Sequence, residues 1–466
     1  MLPQSRTLCS SLACLVFFQT IQALSFKPNC TLPPTGTNYV SGPNTRRTIS
    51  ILWNCLSIIF LCTWSIQHLN VPAMRPQSRS AFQKMWWAVL DSRTKIKWMI
   101  FTVLVPEFII GKALNDLLAA RDILRASNFT GVWDEVHAHM ANMRYFIVDF
   151  GQYCLDANAS NEDKGEIKND PPLLALSGRQ LGFLVPHIID LPTVHARQLE
   201  VLNRGDAIVK VLALVQILYL IIQLITRKVV GLPSTQLEIG ALAFSASSII
   251  TYIIYWNKPQ GIESIQIIQP KCAPSRRRVE QIAISGPRFI WTNYRPEYES
   301  EKLYDVVTMP NDGMNYLSRL FPGAQYFGSN DEILAVAVGA LLGGTLFGGL
   351  HCLAWNFHFP TRGEALTWRA CSIITSSIPL LSAVPLGTWM QWHPWGYVPK
   401  KPQATRFALT STLISGFLGP YVLARLFLVF EMFRSLLFLP PEAFVDTWSD
   451  SLPHWGQGQD SIQTRR

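Results

Sequence analysis

The sequence predicts an all-α polytopic membrane protein: a bundle of about seven spanning helices, behind a cleaved signal peptide, with two sizeable lumenal loops. Three observations carry this. Only 15% of the 466 residues are charged and 49% are hydrophobic, against about 25% charged in soluble domains. Mean hydropathy is +0.18. Apolar runs near the roughly 20 residues that cross a bilayer recur along the chain. This composition excludes a disordered chain, and nine cysteines in 466 residues exclude a disulfide-dense secreted scaffold. The 40 Lys and Arg against 31 Asp and Glu (net +9) are scattered, which reads as membrane orientation and excludes nucleic acid as a partner.

Residues 1–25 read as a signal peptide: Arg6 in front, an apolar run from Leu8 to Phe18, and Ala23-Leu24-Ser25 as the cleavage region. Cleavage leaves 26–47 as a lumenal N-terminal segment; retention of the run would make eight spans. Spans one and two occupy 48–114, as Thr48 to Leu69 and Trp98 to Leu114, the second interrupted by Pro106 and Glu107. Residues 115–205 are a lumenal loop. Spans three and four form a hairpin over 206–256, joined by the short connector with Arg227, Lys228 and Pro233. A polar loop, 257–333, precedes spans five to seven in 334–430, and 431–466 is a cytosolic tail.

Span five is glycine-rich, and its Gly339-Gly343 and Gly344-Gly348 pairs have the spacing that lets helices approach closely. Sequons at Asn29, Asn128 and Asn158 are expected to be glycosylated in lumenal segments. Arg75, Arg79, Lys84, Arg93, Lys95 and Lys97 put the loop before span two in the cytosol. Arg276-Arg277-Arg278, in a loop expected to be lumenal, and Lys400-Lys401 oppose that arrangement. Of Cys30, Cys154 and Cys272, two are available to pair in the lumen, and spacing does not select which.

No nucleophile elbow, Walker loop, zincin motif or Cys-x-x-Cys pair is present, and no metal or cofactor is expected. The informative residues are ionisable side chains inside apolar runs, each costing about 2.5–3.5 kcal/mol on insertion scales. These are His68, Glu107, His351, Arg425 and Glu431. Glu107, His351, His68 and Glu431 are the candidate acids and bases. Trp64, Trp355 and Arg425 are candidates for lining a substrate site, with the indole rings suited to stabilising a cation. The blander reading has His351 bonded to a backbone carbonyl, with Arg425 and Glu431 snorkelling to headgroups.

Four blocks carry a resemblance. They are Ile51-Leu52-Trp53-x-Cys55; Cys62-Thr63-Trp64 with His68-x-Asn70-Val71-Pro72; His351-x-Leu353-Ala354-Trp355-Asn356 with Phe359-Pro360-Thr361, Glu364 and Trp368-Arg369; and Arg425-Leu426-Phe427 with Glu431, Phe433-Arg434-Ser435-Leu436, Leu439-Pro440-Pro441 and Trp448. Together they resemble a family of fungal multi-spanning integral membrane proteins, some encoded near specialised-metabolism genes. The resemblance implies a membrane-embedded enzyme, with acid-initiated terpene cyclisation of a lipophilic isoprenoid substrate as the leading expectation. Membrane lipids are the other expected partners. A transporter or efflux protein, or a seven-span sensor, is the alternative. The expected location is integral to a membrane of the secretory pathway, the endoplasmic reticulum or the plasma membrane.

Overall fold

The structure is a computed structural model, describing residues 45–72, 81–126, 129, 131–150, 173–194, 196–262, 264–272, 274–284, 330–392 and 404–447. All of them belong to one compact unit, Thr45–Arg466. The signal segment, Asn29, Asn128, Asn158, Cys30 and Cys154 lie outside the described residues. The chain is mostly helical. Three stretches, Thr48–Ser65, Lys210–Val230 and Gln236–Ile254, are long and apolar enough to cross a membrane, which is compatible with a membrane protein.

Helix α1 (Thr48–Ser65) starts at one end of the bundle, where Thr45 bridges Val445 and the Arg46 N–H donates to Phe444 O. It ends at the other, where the Val71 N–H donates to Met143 O in a small cap. α2 (Ala81–Leu104) and α3 (Pro106–Leu124) follow. Pro106 has no N–H and pushes the residue before it out of the helical region, and Val105 sits at φ −139°, ψ 67°. Pro106 then serves as the first residue of α3, the helical position it suits best.

That break turns the chain back. Trp98 packs with Ile66 and Tyr252 at the cap end, and Lys112 Nζ lies 5.8 Å from the Trp98 ring. Between them, Leu104 and Glu107 reach the middle of the bundle. The run expected to cross as span two is therefore a hairpin with both limbs at the cap end. Residues 81–97 of the stretch read as a loop are helical and belong to α2.

The cap draws on both long polar segments. α4 (Glu135–Asn142), β1 (Phe146–Asp149), β2 (Leu173–Ala175) and α5 (Gly178–Gly182) come from the first, and β3 (Gln266–Ile268) and α8 (Arg276–Ile284) from the second. The sheet order is β2-β1-β3. Ile147 pairs with Ala175 antiparallel and with Ile267 in parallel. A core of Phe129, Trp133, Met140, Phe146, Phe150 and Leu184 fills it, with Val71 from the end of α1. Cys272 is a free, exposed thiol.

Between the two segments, α6 (Ala196–Val230) descends from the cap and α7 (Gln236–Ile254) returns. Their turn is clamped at the far end. Arg227 is wholly buried and donates to Pro233 O, Ala443 O and Val445 O. Arg46 pairs with Glu238 at 2.5 Å, and Glu238 also closes a capping box with Thr235. These arginines hold backbone carbonyls and a buried carboxylate at the far end.

α9 (Asn330–His351), α10 (Arg362–Trp392) and α11 (Ala404–Arg434) complete the bundle. The two glycine pairs of α9 face different neighbours. A Cβ on Gly339 would lie 2.5 Å from Gly111 Cα, and one on Gly343 would lie 3.0 Å from Glu107 Cα, both on α3. Cβ atoms on Gly344 and Gly348 would meet Pro379 and the Ser376 backbone of α10. These contacts run α9 antiparallel to both, so the connection from α10 to α11 joins cap-side ends.

Candidate functional site

The break at Val105 brings Glu107 into the bundle interior beside α9 and α11. Tyr421 of α11 donates its hydroxyl to Glu107 Oε1. Arg425, one turn further along α11, donates from Nε to Leu104 O at 3.2 Å, the last carbonyl of α2. Its guanidinium lies 3.8 Å from the centre of the Phe347 ring, and its charge acts on both Glu107 and His351. Glu107, Arg425 and His351 are each at most 5% exposed.

His351 closes the group. Its Nδ1 lies 2.8 Å from Phe347 O, so Nδ1 carries the proton and Nε2 keeps its lone pair. Its ring lies 4.8 Å from Phe347 and 5.8 Å from Trp368, whose Nε1 donates to His351 O. Glu107 Oε2, Arg425 Nη2 and His351 Nε2 are buried and have no hydrogen-bond partner among the described residues. Buried polar atoms are nearly always satisfied, so three such atoms in one neighbourhood mark a place where water or a ligand belongs.

Three of the residues selected from sequence, Glu107, His351 and Arg425, therefore meet. The others do not join them. Glu431 is fully buried nearer the far end of α11, with neither carboxylate oxygen partnered among the described residues, in the field of Glu364 and Arg434. His68 lies at the opposite, cap end, Nδ1 3.0 Å from Ile66 O and its ring 4.6 Å from Tyr255, so it does not share one half of the bundle with His351. Trp64 stacks on Phe60, with Lys95 Nζ 5.6 Å from its ring. Trp355 is a partly exposed ring under Arg369. The rings beside the buried acid and imidazole are Phe347, Trp368 and Tyr421. Two of them were legible: Tyr421 precedes Arg425, and Phe347 precedes His351, by one helical turn on the same face.

In the cap, burial lowers the His139 imidazole to about 4, helped by the nearby Lys258 charge. Among the described residues no group of three or more His, Cys, Asp or Glu is arranged to hold a metal ion.

Residues 14–275 match the Family of unknown function (DUF8562). The chain belongs to that family. The match takes in α1, the α2–α3 hairpin with Glu107, the first part of the cap and the α6–α7 pair, and stops before α9, α10 and α11. The family match thus includes His68 and Glu107 and leaves His351, Arg425, Tyr421 and Glu431 beyond it. No curated protein and no solved structure matches the chain.

Proposed function

We propose that this protein is a membrane-embedded enzyme that uses Glu107 and His351 to cyclise a lipophilic isoprenoid substrate by acid initiation, in a fungal specialised-metabolism setting. The observation that carries the reading is the buried acid and the imidazole with Nδ1 engaged, each with an unpartnered buried atom and both beside Arg425. In the proposed cycle the Glu107 carboxyl, with Oε1 engaged by Tyr421, delivers its Oε2 proton to a carbon–carbon double bond. A neighbouring double bond then supplies the electron pair for ring closure. Phe347, Trp368 and Tyr421 stabilise the cation over their faces. His351 Nε2 removes a proton from the carbon next to the final cation, leaving an alkene. After product leaves, His351 releases that proton to water and Glu107 takes one from water, so the site resets and the net reaction is an isomerisation. The dry interior favours this chemistry by excluding the water that would quench a carbocation.

The same reading carries a membrane arrangement for a multi-pass protein of the secretory pathway. Six helices, α1, α6, α7, α9, α10 and α11, cross; the α2–α3 hairpin enters and leaves on the cap side. With the hairpin returning, Lys95 and Lys97 of α2 and Arg277-Arg278 of α8 lie at the cap side, and the segments that carry Arg75 and Arg79, then Lys400-Lys401, continue from cap-side helix ends. The positive-inside rule assigns that side to the cytosol and removes the earlier conflict among these charges. The far end, with Thr45, is then lumenal, as cleavage of a signal peptide requires, and the 431–466 tail, expected from sequence to be cytosolic, starts from that same lumenal end. Asn29 is the glycosylated sequon, and Asn128 and Asn158 remain unmodified.

One observation favours a second reading, transport. α3 begins at Pro106 inside the bundle, and helices broken at mid-depth are typical of transporter substrate sites. Metabolite profiling separates the two. Deleting the gene, or replacing it with Glu107→Gln or His351→Ala, is expected to remove a cyclic product and accumulate its linear precursor. Loss of export with product chemistry intact would favour transport, and an unchanged profile would refute the enzyme.

A further inference from the structure

The site of the proposed chemistry holds a charge that the cycle leaves unused. Arg425 is 2% exposed, and a guanidinium keeps its proton in a protein interior. Its Nε–H is engaged by Leu104 O at 3.2 Å, its cationic plane lies 3.8 Å from the centre of the Phe347 ring, and Nη2 has no hydrogen-bond partner among the described residues. The carboxylates nearest in the argument are otherwise placed. Glu107 accepts the Tyr421 hydroxyl at Oε1, and its Oε2 is unpartnered. Glu364 is held by Arg434 at 2.7 Å. Glu431, six positions further along α11, lies in the field of Glu364 and Arg434. Among the described residues Arg425 therefore has no ion pair.

The role of Glu107 decides what this means. A Glu107 that starts the reaction carries a proton and is neutral, and His351 keeps the Nε2 lone pair with which it acts as a base. Glu107, Arg425 and His351 then bear one net positive charge in a dry interior, where an unpaired ion is strongly disfavoured. A water on Nη2 would satisfy the hydrogen bond and leave the charge. An uncompensated guanidinium would also oppose a carbocation formed beside it, because like charges repel most where the dielectric is low. A substrate that brings one negative charge removes both problems. The three unpartnered atoms then have three partners: the double bond for Glu107 Oε2, the departing proton for His351 Nε2 and the anion for Arg425 Nη2. A carboxylate carries the single charge required. A phosphate monoester carries about 1.5–2 negative charges at pH 7, and Arg425 is the one cation among the described residues whose charge acts on Glu107 and His351.

We propose that Arg425 anchors a carboxylate of the substrate, so that the isoprenoid taken by this site is a lipophilic carboxylic acid. The proposal rests on the enzyme reading, because only a neutral Glu107 leaves the guanidinium without a counter-charge. Full-length protein in detergent would be titrated with farnesoate, farnesol and farnesyl phosphate. Farnesoate is expected to bind about tenfold or more tightly than farnesol, as a charge-assisted hydrogen bond in a buried site allows. Arg425→Gln, which keeps an amide donor and removes the charge, is expected to abolish that preference while farnesol still binds. Arg425→Lys, which keeps the charge, is expected to retain part of it. Glu107→Gln is expected to leave farnesoate affinity within about threefold, because a neutral amide replaces a neutral carboxyl. Equal binding of farnesoate and farnesol to the unaltered protein would overturn the anchor whatever the variants do, as would a preference that survives Arg425→Gln. Tighter binding of farnesyl phosphate than of farnesoate would overturn the carboxylate assignment in favour of a phosphate head. A large gain in farnesoate affinity with Glu107→Gln would show an ionised Glu107 as the counter-charge of Arg425, and would overturn the anchor and the acid role together. Cyclised product formed equally well from farnesol would sink the anchor and keep the cyclase. Carboxylate-selective binding without cyclised product would keep the anchor and sink the cyclase.

Discussion

Gly339→Ala tests the close approach of α9 to the returning hairpin. A methyl group at this position would lie 2.5 Å from Gly111 Cα, 2.8 Å from Gly111 N and 3.0 Å from Ile110 O. All three are backbone atoms, so no side chain can swing aside, and two helices must separate. Overpacking of this kind costs about 1–3 kcal/mol, and separating α9 from α3 also disturbs Glu107, which packs against Gly343 one turn away. Gly349 provides a control on the same helix, because its added Cβ would meet only Ser376 Oγ at 4.0 Å. There, alanine recovers about 0.5–1 kcal/mol of helix propensity with no clash. Thermal unfolding in one detergent should therefore lower the midpoint for Gly339→Ala and leave or raise it for Gly349→Ala. Equal midpoints for the two variants would refute the hairpin packing.

Arg227→Ala leaves the carbonyls of Pro233 and Val445 without their shared donor, while Ala443 O keeps the Arg46 Nε–H at 2.7 Å. At about 1 kcal/mol or more for each group left unpaired, a loss of about 2–3 kcal/mol is expected, read as a fall in unfolding midpoint and faster proteolysis of the C-terminal segment. The cap should weaken in acid. Folding holds His139 near 4 against about 6.5 unfolded, so the unfolded state binds more protons and stability rises with pH. The contribution is complete above about pH 6.5 and is lost as pH falls towards 4, amounting to about 2 kcal/mol between pH 7 and 5. Protection factors over Glu135–Asn142, with exchange corrected for its intrinsic pH dependence, should fall as pH drops across that window, and His139→Asn should flatten the response. Removing sequons one at a time should change gel mobility only for Asn29→Gln; a shift with Asn128→Gln or Asn158→Gln would put the cap in the lumen.

The apolar runs made the helices legible, because long apolar stretches bury best as helices, and all seven lie in helical segments, the second broken at Val105. The hairpin was not legible. A Pro inside an apolar run reads the same whether the helix kinks and continues or turns back, and only the meeting of Trp98 with Lys112 decides it. The basic residues before Trp98 read as a loop, whereas Lys84, Arg93, Lys95 and Lys97 lie on α2, because a run of charges interrupts hydropathy without interrupting a helix. The cap sheet was hidden by distance, since β1 and β3 pair in parallel across the whole α6–α7 excursion, and each strand is too short to show alternation. Burial depth picked out Glu107, His351 and Arg425, which do meet. Counting aromatic residues picked Trp355, whereas the buried indole is Trp368, thirteen positions later, and periodicity from His351 would have selected Phe347.

Proton-initiated chemistry between Glu107 and His351 is tested by turnover of a linear prenyl substrate in D2O with purified full-length protein. The expected product is a cyclic isomer carrying one deuterium from solvent, with the rate lowered by about 10²–10⁴ in Glu107→Gln and at least tenfold in His351→Ala. A product formed without solvent deuterium, or at an unchanged rate in Glu107→Gln, would contradict it.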